Sequence, residues 1–141
     1  MQKKRTKKRR GKRGRKGLKK ALWDIFSKYI RLRDKGICFT CGAEKHWKEL
    51  QAGHFVHGVL DYDEMNINAQ CVKCNLYNSG NGVEYTLRLI RKYGLEKVED
   101  LKARATLALA GELYEDEWLK ERIQHYRKLV EQMKKKLELE I

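Results

Sequence analysis

The chain predicts an α+β fold, mostly α, with a small core and a basic tail in front of it. Three observations predict this. Apolar residues recur at three- and four-residue steps up to residue 36 and again after residue 82, a short extended run lies between them, and two Cys-x-x-Cys turns bracket that run. With 141 residues there is room for one domain and only a modest core. The expected divisions are a basic arm over 1–17, a core with a leading helix over 18–94, and a helical extension over 95–141.

The net charge of +14 sits almost wholly in the tail. Residues 1–20 hold 13 Lys or Arg and no acid, whereas the other 121 hold 20 basic and 19 acidic residues. No apolar residue stands between Met1 and Leu18, so the arm cannot bury itself and is expected to be disordered. A polyanion is its natural partner, because neutralising phosphates releases condensed counterions. DNA contacts are therefore expected from Lys3, Lys4, Arg5, Lys7, Lys8, Arg9, Arg10, Lys12, Arg13, Arg15 and Lys16. The bland alternatives are a solubility tail or an anionic-membrane patch, but a membrane arm would bring an apolar anchor. The basic run has no apolar core after it, as a signal peptide would, and no stretch approaches membrane-spanning length. A cytoplasmic setting with reduced thiols and no membrane partner is the expectation.

Leu18, Leu22, Ile25, Tyr29 and Leu32 predict an amphipathic helix ending at Gly36. Ile37 to Gly42 reads as a turn, Glu49 to Val56 as an extended run ending in His54, and residues 57–65 as loop. A short helix carrying Asn75 should follow Cys71 and break at Ser79-Gly80-Asn81-Gly82. Val83, Leu87 and Ile90 begin another helix that stops at Gly94. Leu95, Val98, Leu101 and Ala105 form one further stripe; Leu119, Ile123, Tyr126, Val130, Met133 and Leu137 form a longer one after Gly111. Packing on the domain, or on a second copy as a homodimer, is the default explanation of such stripes. No proline, internal repeat or Gly-rich phosphate loop is present.

All four cysteines lie in the two turns, Cys38 with Cys41 and Cys71 with Cys74, 29 residues apart. Each turn presents two thiolates from one tight bend, so together they complete a tetrahedral structural zinc site. A disulfide pair or a redox Cys-x-x-Cys is the rival reading.

His54 lies inside the loop that the turns close, and Asn75 directly follows the second turn. A histidine can take a proton from water, and water so activated can attack a phosphodiester when a divalent cation neutralises the developing charge. One carboxamide oxygen with phosphate oxygens and waters suffices for Mg2+. Singly, such a histidine is as often structural, and an Asn at a helix start as often a cap.

Taken together, the arrangement resembles the HNH, or His-Me finger, endonucleases whose strand-strand-helix motif is built on a four-cysteine zinc site. The resemblance implies a ββα-metal, treble-clef-like core. It implies His54 as general base, Asn66, five residues before Cys71, as the residue holding the loop that orients it, and Asn75 as ligand of a catalytic Mg2+ or Mn2+. The strings Cys38-Phe39-Thr40-Cys41-Gly42, Gln51-Ala52-Gly53-His54-Phe55, Gln70-Cys71-Val72-Lys73-Cys74-Asn75 and Ser79-Gly80-Asn81-Gly82-Val83-Glu84-Tyr85 are similar to those of the phage NinG (Rap) recombination nucleases, over roughly residues 20–130. That family implies a structure-selective DNA endonuclease acting on Holliday junctions and D-loops, in the cytoplasm of the host.

One position departs from the pattern. Many HNH enzymes carry an Asp immediately before the basic His, whereas Gly53 stands there. Asp63, Asn78 and Asn81 are candidate replacements for that metal ligand, and His57 is a candidate ligand or phosphate contact, though more readily a plain loop residue. His46 and His125 receive no role. A non-catalytic zinc-bound nucleic-acid-binding module is the second functional reading.

Overall fold

The computed structural model describes residues 14–108 and 114–139. The expected arm contacts from Lys3 to Arg13 lie outside the described residues. The elements run α1 (Arg15–Arg33), a 3-10 turn (Trp47–Glu49), β1 (Gln51–His54), β2 (Ile67–Gln70), a π-helical turn (Lys73–Tyr77), α2 (Gly82–Tyr93), α3 (Leu95–Ala108) and α4 (Asp116–Leu139). No helix among the described residues is long and apolar enough to cross a membrane.

α1 begins earlier than its apolar stripe predicts. Arg15, Lys16 and Gly17 form its first turn, so these residues are not part of a disordered arm. Arg and Lys are good helix formers, and Arg15 Nε meets Asp116 Oδ1 at 3.3 Å. The buried face runs through Leu18, Leu22, Phe26, Tyr29 and Ile30. Phe26 rather than Ile25 is the core residue, since steps of four from Leu18 and Leu22 reach position 26. The helix ends at Asp34, and the chain reverses through Lys35 and Gly36, both at positive φ. A side chain at 36 would strike the Lys45 carbonyl, whose own N–H donates to Gly36 O at 2.7 Å. Only glycine satisfies both demands.

α4 lays Leu119, Ile123, Tyr126 and Val130 against α1 of the same chain. Met133 is half-buried and Leu137 is 44% exposed, so the predicted stripe is covered over most of its length. The Phe26 and Tyr126 rings meet edge to face at 4.9 Å. Tyr29 and Tyr126 both donate to the Glu64 carboxylate, at 2.6 and 3.3 Å, which moors the loop between the strands to both helices.

β1 and β2 pair antiparallel, with Gln51 opposite Gln70 and His54 opposite Ile67. Alternation sends Ala52, Ile67 and Ala69 into the core shared by α1, α4 and the cysteines. Asn68 and Gln70 point the other way, toward α2. There Tyr85 and Leu89 pack on Val98 and Leu101 of α3.

The face of α2 differs from expectation: Val83 is 79% exposed and Leu87 42% exposed. Tyr85 sets the face instead. Its hydroxyl donates to Gly53 O at 2.8 Å, has Asn66 O within 3.3 Å, and accepts from Asn68 Nδ2 at 3.0 Å. On α3, Val98, Leu101 and Ala105 are buried as predicted, while Leu95 faces out. The result is a mostly helical α+β fold in which a two-stranded sheet separates two small cores.

Candidate functional site

The two Cys-x-x-Cys turns converge. The Sγ atoms of Cys38, Cys41, Cys71 and Cys74 all lie within 4.8 Å of one another, and those of Cys41 and Cys71 are 3.7 Å apart. Four thiolates about 2.3 Å from a tetrahedral ion are separated by about 3.8 Å. The donor set therefore fits one metal ion, and an all-sulfur set suits zinc. All four cysteines are free thiols. Burial raises the Cys38 thiol, but hydrogen bonds from Thr40 and from the backbone N–H groups of Cys71 and Cys41 outweigh it and hold it at about 6. Burial and the neighbouring thiols push Cys41 to about 12. Without a cation, close-packed thiols share little negative charge; a dication removes that conflict.

Polar side chains support the cluster from behind. Gln70 is fully buried and donates from Nε2 to Thr40 Oγ1 (3.1 Å) and Gly80 O (2.9 Å). Thr40 Oγ1 in turn lies 3.5 Å from Cys38 Sγ. Asn81 Nδ2 donates to Cys74 Sγ at 3.7 Å, so this candidate for the catalytic cation serves the cysteine cluster instead. Gln70 also explains Gly53. A Cβ at position 53 would overlap the Gln70 carboxamide, so no aspartate fits there while Gln70 holds its place. Gln70 Oε1 is left without a hydrogen-bond partner, packed beside Gly53.

His54, at the end of β1, stands between two rings. Trp23 of α1 stacks on it with centroids 5.1 Å apart, and His57 stacks at 5.8 Å. His54 Nε2 lies 3.1 Å from Asp61 Oδ1, and the imidazole is 22% exposed. The loop carrying Asp61 and His57 is held by Asn66, which is fully buried. Asn66 Oδ1 accepts from Val56 N at 2.8 Å, and its Nδ2 reaches the carbonyls of Val56, Val59 and Leu60 at 3.1 to 3.3 Å.

Asn75 sits in the π-helical turn, where Asn78 N bonds Lys73 O at 2.8 Å. Its Nδ2 donates to Gln51 Oε1 at 2.8 Å, so it reaches β1 rather than capping a helix. Alternation places Gln51 on the opposite face of the strand from His54. Among the described residues no hydrogen bond joins His54 to Asn75.

Asp63 is engaged elsewhere: Oδ1 accepts from Met65 N and Asn66 N at 2.9 and 3.0 Å, and Oδ2 pairs with Arg104 at 2.7 Å. Asn78 ends the π-helical turn, and its backbone N–H closes it. His46 caps the 3-10 turn, and His125 lies edge-on to Tyr126. Sequence reasoning missed Trp23, Asp61 and Gln70. Asp61 carried no signal, because a loop with Gly58 and Leu60 at positive φ delivers it. The pairing of Gly53 with a polar residue near the start of the second knuckle was the one legible hint for Gln70.

Comparison with known proteins gives the setting. The family model described as Bacteriophage Lambda NinG protein matches residues 1–138. The protein ninG of Escherichia phage 933W is 38% identical over 82 residues, 53% of this chain and 39% of that relative. The ninG proteins of Salmonella phage P22 and Escherichia phage lambda are each 37% identical over the same length and shares. The matched stretch thus spans well under half the length of these relatives. No solved structure matches the chain. With the family model covering nearly every residue, this chain belongs to the NinG family of bacteriophage proteins.

Proposed function

We propose that this chain is a divalent-metal-dependent DNA endonuclease of the HNH class, acting on branched recombination intermediates, with a structural zinc held by Cys38, Cys41, Cys71 and Cys74. The observation that carries the proposal is the setting of His54. Asp61 Oδ1 accepts from His54 Nε2–H at 3.1 Å, which leaves Nδ1 as the proton acceptor. Once His54 has taken a proton from water, the imidazolium lies against the Asp61 carboxylate and the Trp23 face, both of which favour its charge. Asn66 keeps the loop that presents Asp61 in place. A bound Mg2+ or Mn2+ would supply charge neutralisation at the scissile phosphate. Asn75 is the residue that would hold it, and with Gly53 unable to ligate, phosphate oxygens and water would supply the other ligands.

One observation favours a second reading. Asn75 is tied to Gln51, away from the His54 face. If that geometry persists on DNA, the chain is a non-catalytic nucleic-acid-binding module on the same zinc clip. Cleavage of a four-way junction, a flap and a linear duplex, with and without added Mg2+ or Mn2+, separates the two. Metal-dependent nicking that prefers the branched substrates is expected; no nicking of any substrate leaves the binding module.

A further inference from the structure

We propose that the groove between α1 and α4 is a second nucleic-acid contact surface, taking the phosphates of a strand that passes His54. It rests on the nucleic-acid half of the proposed function and is independent of catalysis. Trp23, which stacks on His54, also lines this groove, together with Lys28 and Arg31 of α1 and Arg127 of α4. From Trp23 to Arg31 the helix rises about 12 Å, the axial length of three to four nucleotides at about 3.4 Å each.

Arg31 also connects the groove to a second group of cations. The Arg31 guanidinium lies 5.4 Å from the Trp47 ring centroid, and Lys48 and Lys134 approach the same ring at 5.7 and 5.9 Å. Three cations from three elements thus converge on one indole. Among the described residues, none of Lys28, Arg31, Arg127, Lys48 and Lys134 forms an ion pair, whereas cations such as Arg104, Arg88 and Arg33 do. One acid, Asp24, lines the groove. Three basic residues thus face one acid in the groove, and Arg31 links them to Lys48 and Lys134 at Trp47, in a chain that is nearly neutral beyond residue 20. Arg31 spends its Nε on Ser27 O at 3.1 Å, and burial lowers its pKa with no carboxylate to offset it. An arriving phosphate supplies the missing anion.

The test uses the full chain with His54→Ala, so that no cleavage enters, and a labelled four-way junction whose affinity is followed against salt. The double variant Lys28→Ala/Arg127→Ala keeps Arg31 and the buried face of α1, and its circular dichroism melt checks folding. The logarithmic salt slope should shrink by about 2, close to 0.9 per lost phosphate contact, while Lys97→Ala/Lys102→Ala on exposed α3 leaves it unchanged. An unchanged slope in a folded Lys28→Ala/Arg127→Ala protein overturns the proposal. So does oligoglutamate binding that depends on Lys28 and Arg127 while junction binding does not, which would assign the groove to an acidic protein segment. Absence of cleavage by the wild-type chain leaves this result standing and counts only against the nuclease reading.

Discussion

His54 gains its proposed role from residues that lie outside its own strand. Trp23 arrives from α1 and Asp61 from a loop seven residues on, and neither could be read from a motif. The Asn66 position was legible as an offset from Cys71, and the structure shows what it does physically: one buried carboxamide meets four backbone groups of the loop. Gly53 likewise has a local cause, since Gln70 occupies the space an Asp would need. If Asp61 orients the imidazole and steadies its charge, Asp61→Asn should lower kcat about 10- to 100-fold, the usual effect of losing an orienting carboxylate. Junction affinity should stay within twofold. Steady-state cleavage beside equilibrium binding checks this; an unchanged kcat removes Asp61 from the account.

The existence of each helix followed from apolar spacing, while the choice of buried face did not always follow. A period near 3.6 tolerates a one-residue error, so Ile25 and Phe26 were interchangeable in the pattern until α4 and the Phe26–Tyr126 contact chose between them. The α2 face was misread for a different reason. Apolarity pointed to Val83 and Leu87, but a tyrosine hydroxyl that reaches the backbone of β1 and of Asn66 turns Tyr85 and Leu89 inward, with Ile90 packed beside them. The paired strands were too short for periodicity to reveal more than β1, and β2 is buried on both faces, with Asn68 and Gln70 inside. Tyr85→Phe leaves Asn68 Nδ2 and the Gly53 carbonyl short of a partner, and should cost about 1 to 3 kcal/mol. Val83→Ala, on the exposed side of the same helix, should stay within about 0.5 kcal/mol. Urea unfolding of both variants tests the face directly.

For the whole molecule, the cysteines bring two distant stretches of chain together beside the helical core. The cluster shares one core with α1 and α4, and through Thr40, Gln70 and Gly53 it abuts the strand that ends in His54. Metal removal should therefore loosen more than the knuckles. Chelation, or acid that protonates the thiolates, should release the metal, because zinc is held by the thiolate form and competes with the proton for it. A lowered melting temperature and a weakened near-ultraviolet signal from the Trp23 region are expected; an unchanged melt after complete metal loss would show that the cysteines carry no part of the fold. The apolar stripe of α4, mostly covered by α1, leaves only its last turns available to a second copy. In the proposed reaction His54 removes a proton from water during DNA cleavage. The most direct test of that step is single-turnover cleavage of a four-way junction by the His54→Ala protein at saturating Mg2+. A rate lowered by about 10²- to 10⁴-fold is expected, the usual share of a general base, with junction binding and zinc content unchanged. Cleavage at the wild-type rate would contradict it.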